Sequence, residues 1–180
     1  MINKNAIPNR QTGEEIVLHL RRHWFIFFKI FLFFVFLALI PWLIYLFLKF
    51  AAPSLLTNEL GYPFLLVLTL SYYLIMIVFA LTTWTENYLD VWTVTTCRII
   101  NREQNGLFNR VVSELDLAKI QDVTAEQKGF FATILHYGDV YIQSAATRER
   151  FSFEQIPQPY KIAKIIQKLN EKIPKEQNPA

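Results

Sequence analysis

The sequence predicts an α+β chain in which a hairpin of two transmembrane helices is followed by a small, mostly antiparallel β domain that closes with a helix. Three observations carry this. Two long uncharged apolar stretches lie in the first half of the chain, period-two alternation begins after Thr85, and an apolar stripe at helical spacing marks the last thirty residues.

Ile30 to Leu48 runs nineteen residues without a charge, nearly all Phe, Leu, Ile, Val or Trp, enough to cross a hydrocarbon core of roughly 30 Å. Gly61 to Thr85 adds a second uncharged stretch of twenty-five residues, which crosses with some tilt. Between them Pro53, Ser54, Thr57 and Asn58 are turn formers, so the two spans make an antiparallel hairpin. A cleaved signal peptide is the weaker reading of the first span, because its apolar length exceeds an ordinary signal core and a second span follows at once. Pro41 is placed to kink the first span, and Ser71, Tyr72 and Tyr73 are the main polar groups of the second. Neither centre holds Asp, Glu, Arg or His, which argues against a solute path within one chain.

Flanking charge predicts orientation. Arg21, Arg22 and Lys29 precede the first span and Arg98 and Arg102 follow the second, whereas the connecting loop has only Lys49 at its edge, so both termini are expected in the cytoplasm of a cell inner or plasma membrane. Trp24 and Trp84 are then expected at one interface, and Lys29 reads as a snorkelling anchor.

Beyond the hairpin the chain turns soluble in character. Of 18 basic and 15 acidic residues, six basic and three acidic precede Glu86, so the remainder balances twelve against twelve and the excess lies beside the membrane. A neutral domain with no long basic stripe argues against nucleic acid as the main partner. Cys97 is the single cysteine of the sequence, which rules out an internal disulfide and any cysteine-based zinc cluster. Its neighbours Thr93 to Thr96 read as strand, giving a small buried residue rather than a nucleophile.

Tyr88 to Cys97 alternates as a strand, Arg98 to Glu103 continues extended, and Asn105-Gly106 signals a tight hairpin returning through Val111 to Leu117. Ile120 to Ala125 is a further strand. Gly129 to His136 is a short helix or an irregular loop, Tyr137-Gly138-Asp139 reads as a turn, and Val140 to Ser144, a polar link Ala145 to Arg148, and Arg150 to Glu154 follow, with Phe151 and Phe153 inward. Pro157 and Pro159 mark the entrance of an amphipathic helix. Its Ile162, Ile165, Ile166 and Leu169 face the core, and its Lys161, Lys164 and Lys168 face solvent. The resulting division is 1–23 cytoplasmic N-terminal segment, 24–85 transmembrane hairpin, 86–170 cytoplasmic domain and 171–180 flexible tail.

Four pieces follow one another in order: the run from Glu15 through LHLRRHWFIF, then VTTCRIINREQNGLFNRVVSELDLAKIQDV, then LHYGDVYIQSA, and finally FSFEQIPQPYKIAKII, together covering roughly residues 14 to 169. In this order they resemble the bacterial pleckstrin-homology (PH)-like domain family, in its membrane proteins with an N-terminal helical hairpin. Arg98, Ile99, Ile100, Gly106, Gly138, Asp139 and Pro157 match the family's arrangement, while Cys97 stands where Asn is commoner. The resemblance implies a PH-like antiparallel β barrel or sandwich with a C-terminal helix, used as a platform for binding.

No catalytic constellation emerges. His19 and His23 are four apart but lack an HExxH frame, His136 stands alone, Asp116 and Asp122 read as solvated edge positions, and there is no GxxxxGK or GxGxxG. No cofactor, metal or catalytic residue is therefore expected. The leading expectation is a non-enzymatic membrane-anchored interaction or scaffold module, binding protein, lipid or copies of itself. The alternative is an accessory subunit of a membrane transport or envelope-stress complex, contacted through the hairpin. Arg98, Arg102 and Arg110 are too few for a phosphoinositide cradle, so specific phosphoinositide binding is not expected. Arg21, Arg22, Lys161, Lys164 and Lys168 are the candidate contacts for anionic lipid.

Overall fold

The computed structural model describes residues 13–144 and 151–173. The expected link Ala145 to Arg148, the strand start at Arg150 and residues 174–180 of the expected tail lie outside them.

Strand β1 (Ile16–Arg21) comes first, and two long helices follow: α1 (Trp24–Ala51) and α3 (Gly61–Leu89), joined by the short α2 (Pro53–Thr57). At 1.5 Å per residue each long helix spans about 42 Å, more than the roughly 30 Å of a hydrocarbon core. Both are long and apolar enough to cross a membrane, and their hydrophobic windows are not buried within the protein. They run antiparallel. Phe27 meets Trp84 at 5.1 Å between ring centroids, and the Tyr72 and Tyr73 hydroxyls donate to the Leu37 and Ala38 carbonyls, each at 2.9 Å. Gly61 permits the tight entry into α3, since a Cβ there would lie 2.4 Å from the Leu55 carbonyl oxygen.

The rest folds as two antiparallel sheets. One has the order β1-β2-β3-β4, with β2 (Val91–Thr95), β3 (Arg98–Asn105) and β4 (Asn109–Asp116). A 3-10 turn (Leu117–Lys119) leads to the other, β5-β6-β7, made of β5 (Ile120–Glu126), β6 (Tyr137–Ser144) and β7 (Phe151–Pro157). The short α4 (Phe130–Leu135) joins β5 to β6, and α5 (Pro159–Lys172) closes the chain. The sheets do not close into a barrel. They enclose one core in which Trp92 and Phe153 meet across the sheets at 5.8 Å, with Val94, Ile99, Val140, Ile142 and Ile156 around them. From α5, Ile162, Ala163 and Ile166 complete the core, each large side chain contributing about 1.5 to 3 kcal/mol.

Several expectations are corrected. The N-terminal segment does not stand apart from the β domain: β1 pairs with β2 as the sheet's edge, Leu20 opposite Trp92 and Arg21 opposite Val91. The second helix runs on to Leu89, so the strand expected from Tyr88 begins only at Val91. That strand stops at Thr95, whose hydroxyl oxygen accepts from the Cys97 and Arg98 amides at 3.3 and 3.0 Å and builds a turn. Cys97 sits in this turn and is exposed, not buried. Tyr137-Gly138-Asp139 is strand rather than turn; the reversal occurs at His136, which is left-handed at φ 56°. Gly138 serves close strand approach, because a Cβ there would lie 2.2 Å from the Glu126 carbonyl oxygen. Pro157 ends β7 and Pro159 opens α5, with Gln158 between them at φ 51°.

Candidate functional site

The chain leaves the β module at Arg22 and re-enters it at Asp90, so the two long helices are a loop inserted between paired strands. Polar contacts lock this junction. The Arg22 guanidinium donates to Asp90 Oδ2 from Nε at 3.2 Å and from Nη2 at 3.0 Å, to Glu154 Oε2 at 3.1 Å and to Gln155 Oε1 at 3.3 Å. Asp90 also accepts the Gln104 amide at 2.9 Å, and Glu86 in the last turn of α3 accepts the Gly106 amide at 2.9 Å. Both sheets thus hold the helix ends, β2 and β3 through Asp90 and β7 through Glu154 and Gln155.

His23 caps α1. Its amide donates to the Gln155 carbonyl at 2.7 Å, its Nδ1 accepts the Phe25 amide at 3.3 Å, and its ring stacks on Tyr137 at 5.2 Å. Burial pushes its pKa down from the ordinary 6.5. The neutral ring is the form that can accept at Nδ1, and the positive end of the helix opposes an imidazolium there. His19 lies on β1 with its Nδ1 3.4 Å from the Thr93 hydroxyl, so strand and cap, not one helix face, hold the two histidines. Among the described residues no group of three His, Cys, Asp or Glu side chains converges as a metal site.

A second ionic cluster fastens the start of β1. Arg98 grips Glu14 as a fork, Nε to Oε1 at 3.0 Å and Nη2 to Oε2 at 3.1 Å, while Nη1 reaches Glu114 Oε2 at 2.5 Å. Glu14 is fully buried. The Glu14 hydrogen bonds raise the Arg98 pKa, against the desolvation that would lower it.

The five basic residues expected to meet lipid separate into groups. Arg22 is turned into the junction, its side chain 15% exposed and matched by Asp90 and Glu154. Arg21 is exposed and lies over the Tyr88 ring at 5.1 Å. Lys161, Lys164 and Lys168 are all exposed on α5. That helix starts beside the junction, where the Gln158 amide donates to the His136 carbonyl, and ends where Asn170 donates to the Ile120 carbonyl at the other end of the second sheet. Its axis therefore runs away from the hairpin, and Lys168 sits about 10 Å farther along it than Lys161.

Strand β4 is the other edge of its sheet, pairing with β3 alone among the described residues. Asn109 to Val112 is exposed on both faces, Val111 at 40% and Val112 at 46%. Its backbone edge and paired valines can accept an added strand. Sequence reasoning missed both this surface and the junction. The signal for the latter was present: Ile16, Leu18 and Leu20 alternate with His19 and Arg21 as a half-buried strand does.

The model of the bacterial PH domain family matches residues 24–170, which takes in both long helices and everything from β2 into α5. No curated protein matches the sequence. Among solved structures, the chain is similar to a DUF1696 family protein with a pleckstrin-homology domain from Shewanella loihica PV-4. The two are 15% identical with a TM-score of 0.38, over 45% of this chain and 70% of that one.

Proposed function

This chain belongs to the bacterial PH domain family, and from that premise we propose that it is a membrane-anchored, non-enzymatic interaction module whose helical hairpin crosses the bilayer and holds a PH-like domain at the cytoplasmic face. The pairing of β1 with β2 supports the topology, because one folded module contains the strands before and after the hairpin and must lie on one side. Arg21, Arg22, Lys29, Arg98 and Arg102 at that end favour the cytoplasm. The hairpin is residues 24–89, and the module combines residues 14–22 with 90–170.

The observation that carries the interaction role is the β4 edge, where exposed Val111 and Val112 accompany a backbone edge that pairs with β3 alone among the described residues. An extended segment of a protein partner adds there as a strand. Anionic lipid contributes general attraction through Arg21 and Lys161, with Lys164 and Lys168 progressively weaker as α5 recedes, at about 1 kcal/mol per near-surface cation. Nucleic acid and a specific phosphoinositide are not part of this reading.

The alternative, an accessory subunit held through its hairpin, draws on a cleft of ≈ 310 Å³ between α1 and α3, lined by Trp42, Tyr45, Tyr62 and Tyr73. Crosslinking in native membranes, mild-detergent purification and mass spectrometry separate the two. A partner lost with Val112→Pro but kept with Trp42→Ala supports the edge; one retained by residues 24–89 alone supports the subunit. Liposomes with and without anionic lipid, and a Lys161→Gln variant, test the lipid term.

A further inference from the structure

We propose that the module has two aromatic tips, α4 and the β3–β4 turn, that insert into the headgroup region of the leaflet where the hairpin ends, so that the domain is docked on the bilayer at three places and not merely tethered to it. This rests on the reading of α1 and α3 as membrane-spanning.

Helix α4 is a single short turn-and-a-half in which Ala132 alone is buried, while Phe130 is 75%, Phe131 59% and Ile134 55% exposed. Water gives no return on three such side chains, and a polar linker would join β5 to β6 equally well. The position of α4 identifies what covers it. Phe131 lies 5.5 Å from the ring of Phe25 in the first turn of α1, and Ala132 and Leu135 pack in one apolar cluster with Ile26 and Ile30 of the first two turns. Phe25 links α4 to α1's own exposed rings, lying 5.5 Å from Phe131 and 6.0 Å from Phe28, which is itself exposed. That depth is an interface: Trp24 begins α1, and Lys29 turns its ammonium back over the rings of Phe25 and Tyr137 at 5.8 and 5.7 Å.

The second tip stands beside the other helix. Gly106 at φ 75° makes the turn that carries Leu107 and Phe108, and its amide is bonded to Glu86, two residues beyond Trp84. Phe108 is 99% and Leu107 48% exposed. One tip flanks α1 and the other α3, at the level of the Phe27–Trp84 contact. Aromatic rings at that depth are favoured between headgroup and acyl chain, and three attachment points fix the tilt of the module. A bilayer, not a second copy, is the occupant because each patch is fastened to the end of one long apolar helix, α4 to the first turns of α1 and the β3–β4 turn to Glu86 in the last turn of α3.

The test uses the full chain in lipid nanodiscs. With Cys97 replaced by serine, single cysteines at Phe108, Phe130, Ile75 and Gln121 carry an environment-sensitive fluorophore. Ile75 lies mid-way along α3, and Gln121 at the end of β5 away from the junction. The expected result is blue-shifted emission at 108 and 130 that is lost with lipids brominated near the glycerol end of their chains. Ile75 should respond to lipids brominated near the chain end, and Gln121 only to iodide. Quenching at Ile75 with iodide access at both tips overturns the docking and leaves the membrane-spanning reading intact. Failure at Ile75 itself overturns both. Shielding at the tips that grows with protein-to-lipid ratio, without bromide quenching, overturns the docking in favour of a second copy.

Discussion

The hydroxyl of Tyr72 donates to the carbonyl of Leu37 at 2.9 Å, and Leu37 is the residue whose helical amide partner is missing because position 41 is proline. Tyr73 serves the next carbonyl, Ala38. The two helices are therefore joined at the point where one of them is defective, and the orphaned acceptor becomes the reason for the contact.

Tyr72→Phe is expected to weaken the hairpin by about 1 to 2 kcal/mol, the upper range for hydrogen bonds between membrane helices. In a Pro41→Ala background Leu37 regains an amide donor, so the same substitution should cost clearly less. Unfolding titrations in mixed micelles measure the double-mutant cycle, and equal costs in both backgrounds would falsify this account.

Because Arg21 pairs with Val91 and Arg22 is bonded to Asp90, residues 23–89 are replaceable by a tight turn. Joining Arg22 to Asp90 through Asn-Gly, which suits a two-residue hairpin, should give a module with a cooperative melt. A chain starting at Asp90 without β1 should aggregate through the bare edge of β2. Circular dichroism and size-exclusion chromatography distinguish them; similar behaviour of both chains would show that β1 is dispensable.

Glu14→Ala is expected to cost about 3 to 5 kcal/mol, since it removes the buried carboxylate that the Arg98 guanidinium grips as a fork. Glu114→Ala, at the half-exposed end of the same cluster, should cost about 1 kcal/mol. Chemical denaturation of the two variants reads the difference, and its reversal would contradict the assignment of the buried fork to Glu14.

The cap on α1 is pH-sensitive. Burial lowers the His23 pKa below 6.5 in the fold, and His19 is lowered by burial and by Arg21 and Arg102. Groups lowered in the folded state contribute stability that is present above the unfolded value and lost as pH falls through the folded one. Thermal stability should accordingly drop on acidification below about 6.5. His23→Asn keeps a capping acceptor that does not titrate, so the variant should lose less stability than the parent between pH 7 and 5. An identical acid limb in parent and variant counts against His23.

Patterns that depend on local chemistry were legible. The two long apolar helices, the Asn105-Gly106 hairpin and the α5 stripe of Ile162, Ile165, Ile166 and Leu169 follow from period and turn residues alone; the helices and hairpin are found, and in the stripe Ile162, Ile166 and Leu169 join the core while Ile165 stays half-buried outside it. What escaped depends on partners distant in sequence. Ile16 to Arg21 is six residues long, a strand only because Val91 to Thr95 lies beside it, and the basic run after it drew the reading toward the membrane. Arg22 reads from sequence as a basic residue beside the membrane because its partners Asp90 and Glu154 are 68 and 132 residues away. Tyr137-Gly138-Asp139 has turn composition, yet the glycine is required by the Glu126 backbone across the ladder.

The insertion of the hairpin between β1 and β2 also sets an order of events during synthesis. Arg21 leaves the ribosome 70 residues before Val91, an interval of roughly 4 to 14 s at ordinary elongation rates. Through that time the first strand lacks its β2 partner, and in the proposed membrane-spanning arrangement it acquires that partner only when both helices have entered the bilayer and the chain has returned to the side it started from. A span that fails to integrate, or integrates in the wrong direction, strands β1 and β2 on opposite faces and leaves each with a bare edge. In that arrangement, completion of the first sheet reports correct insertion of the hairpin.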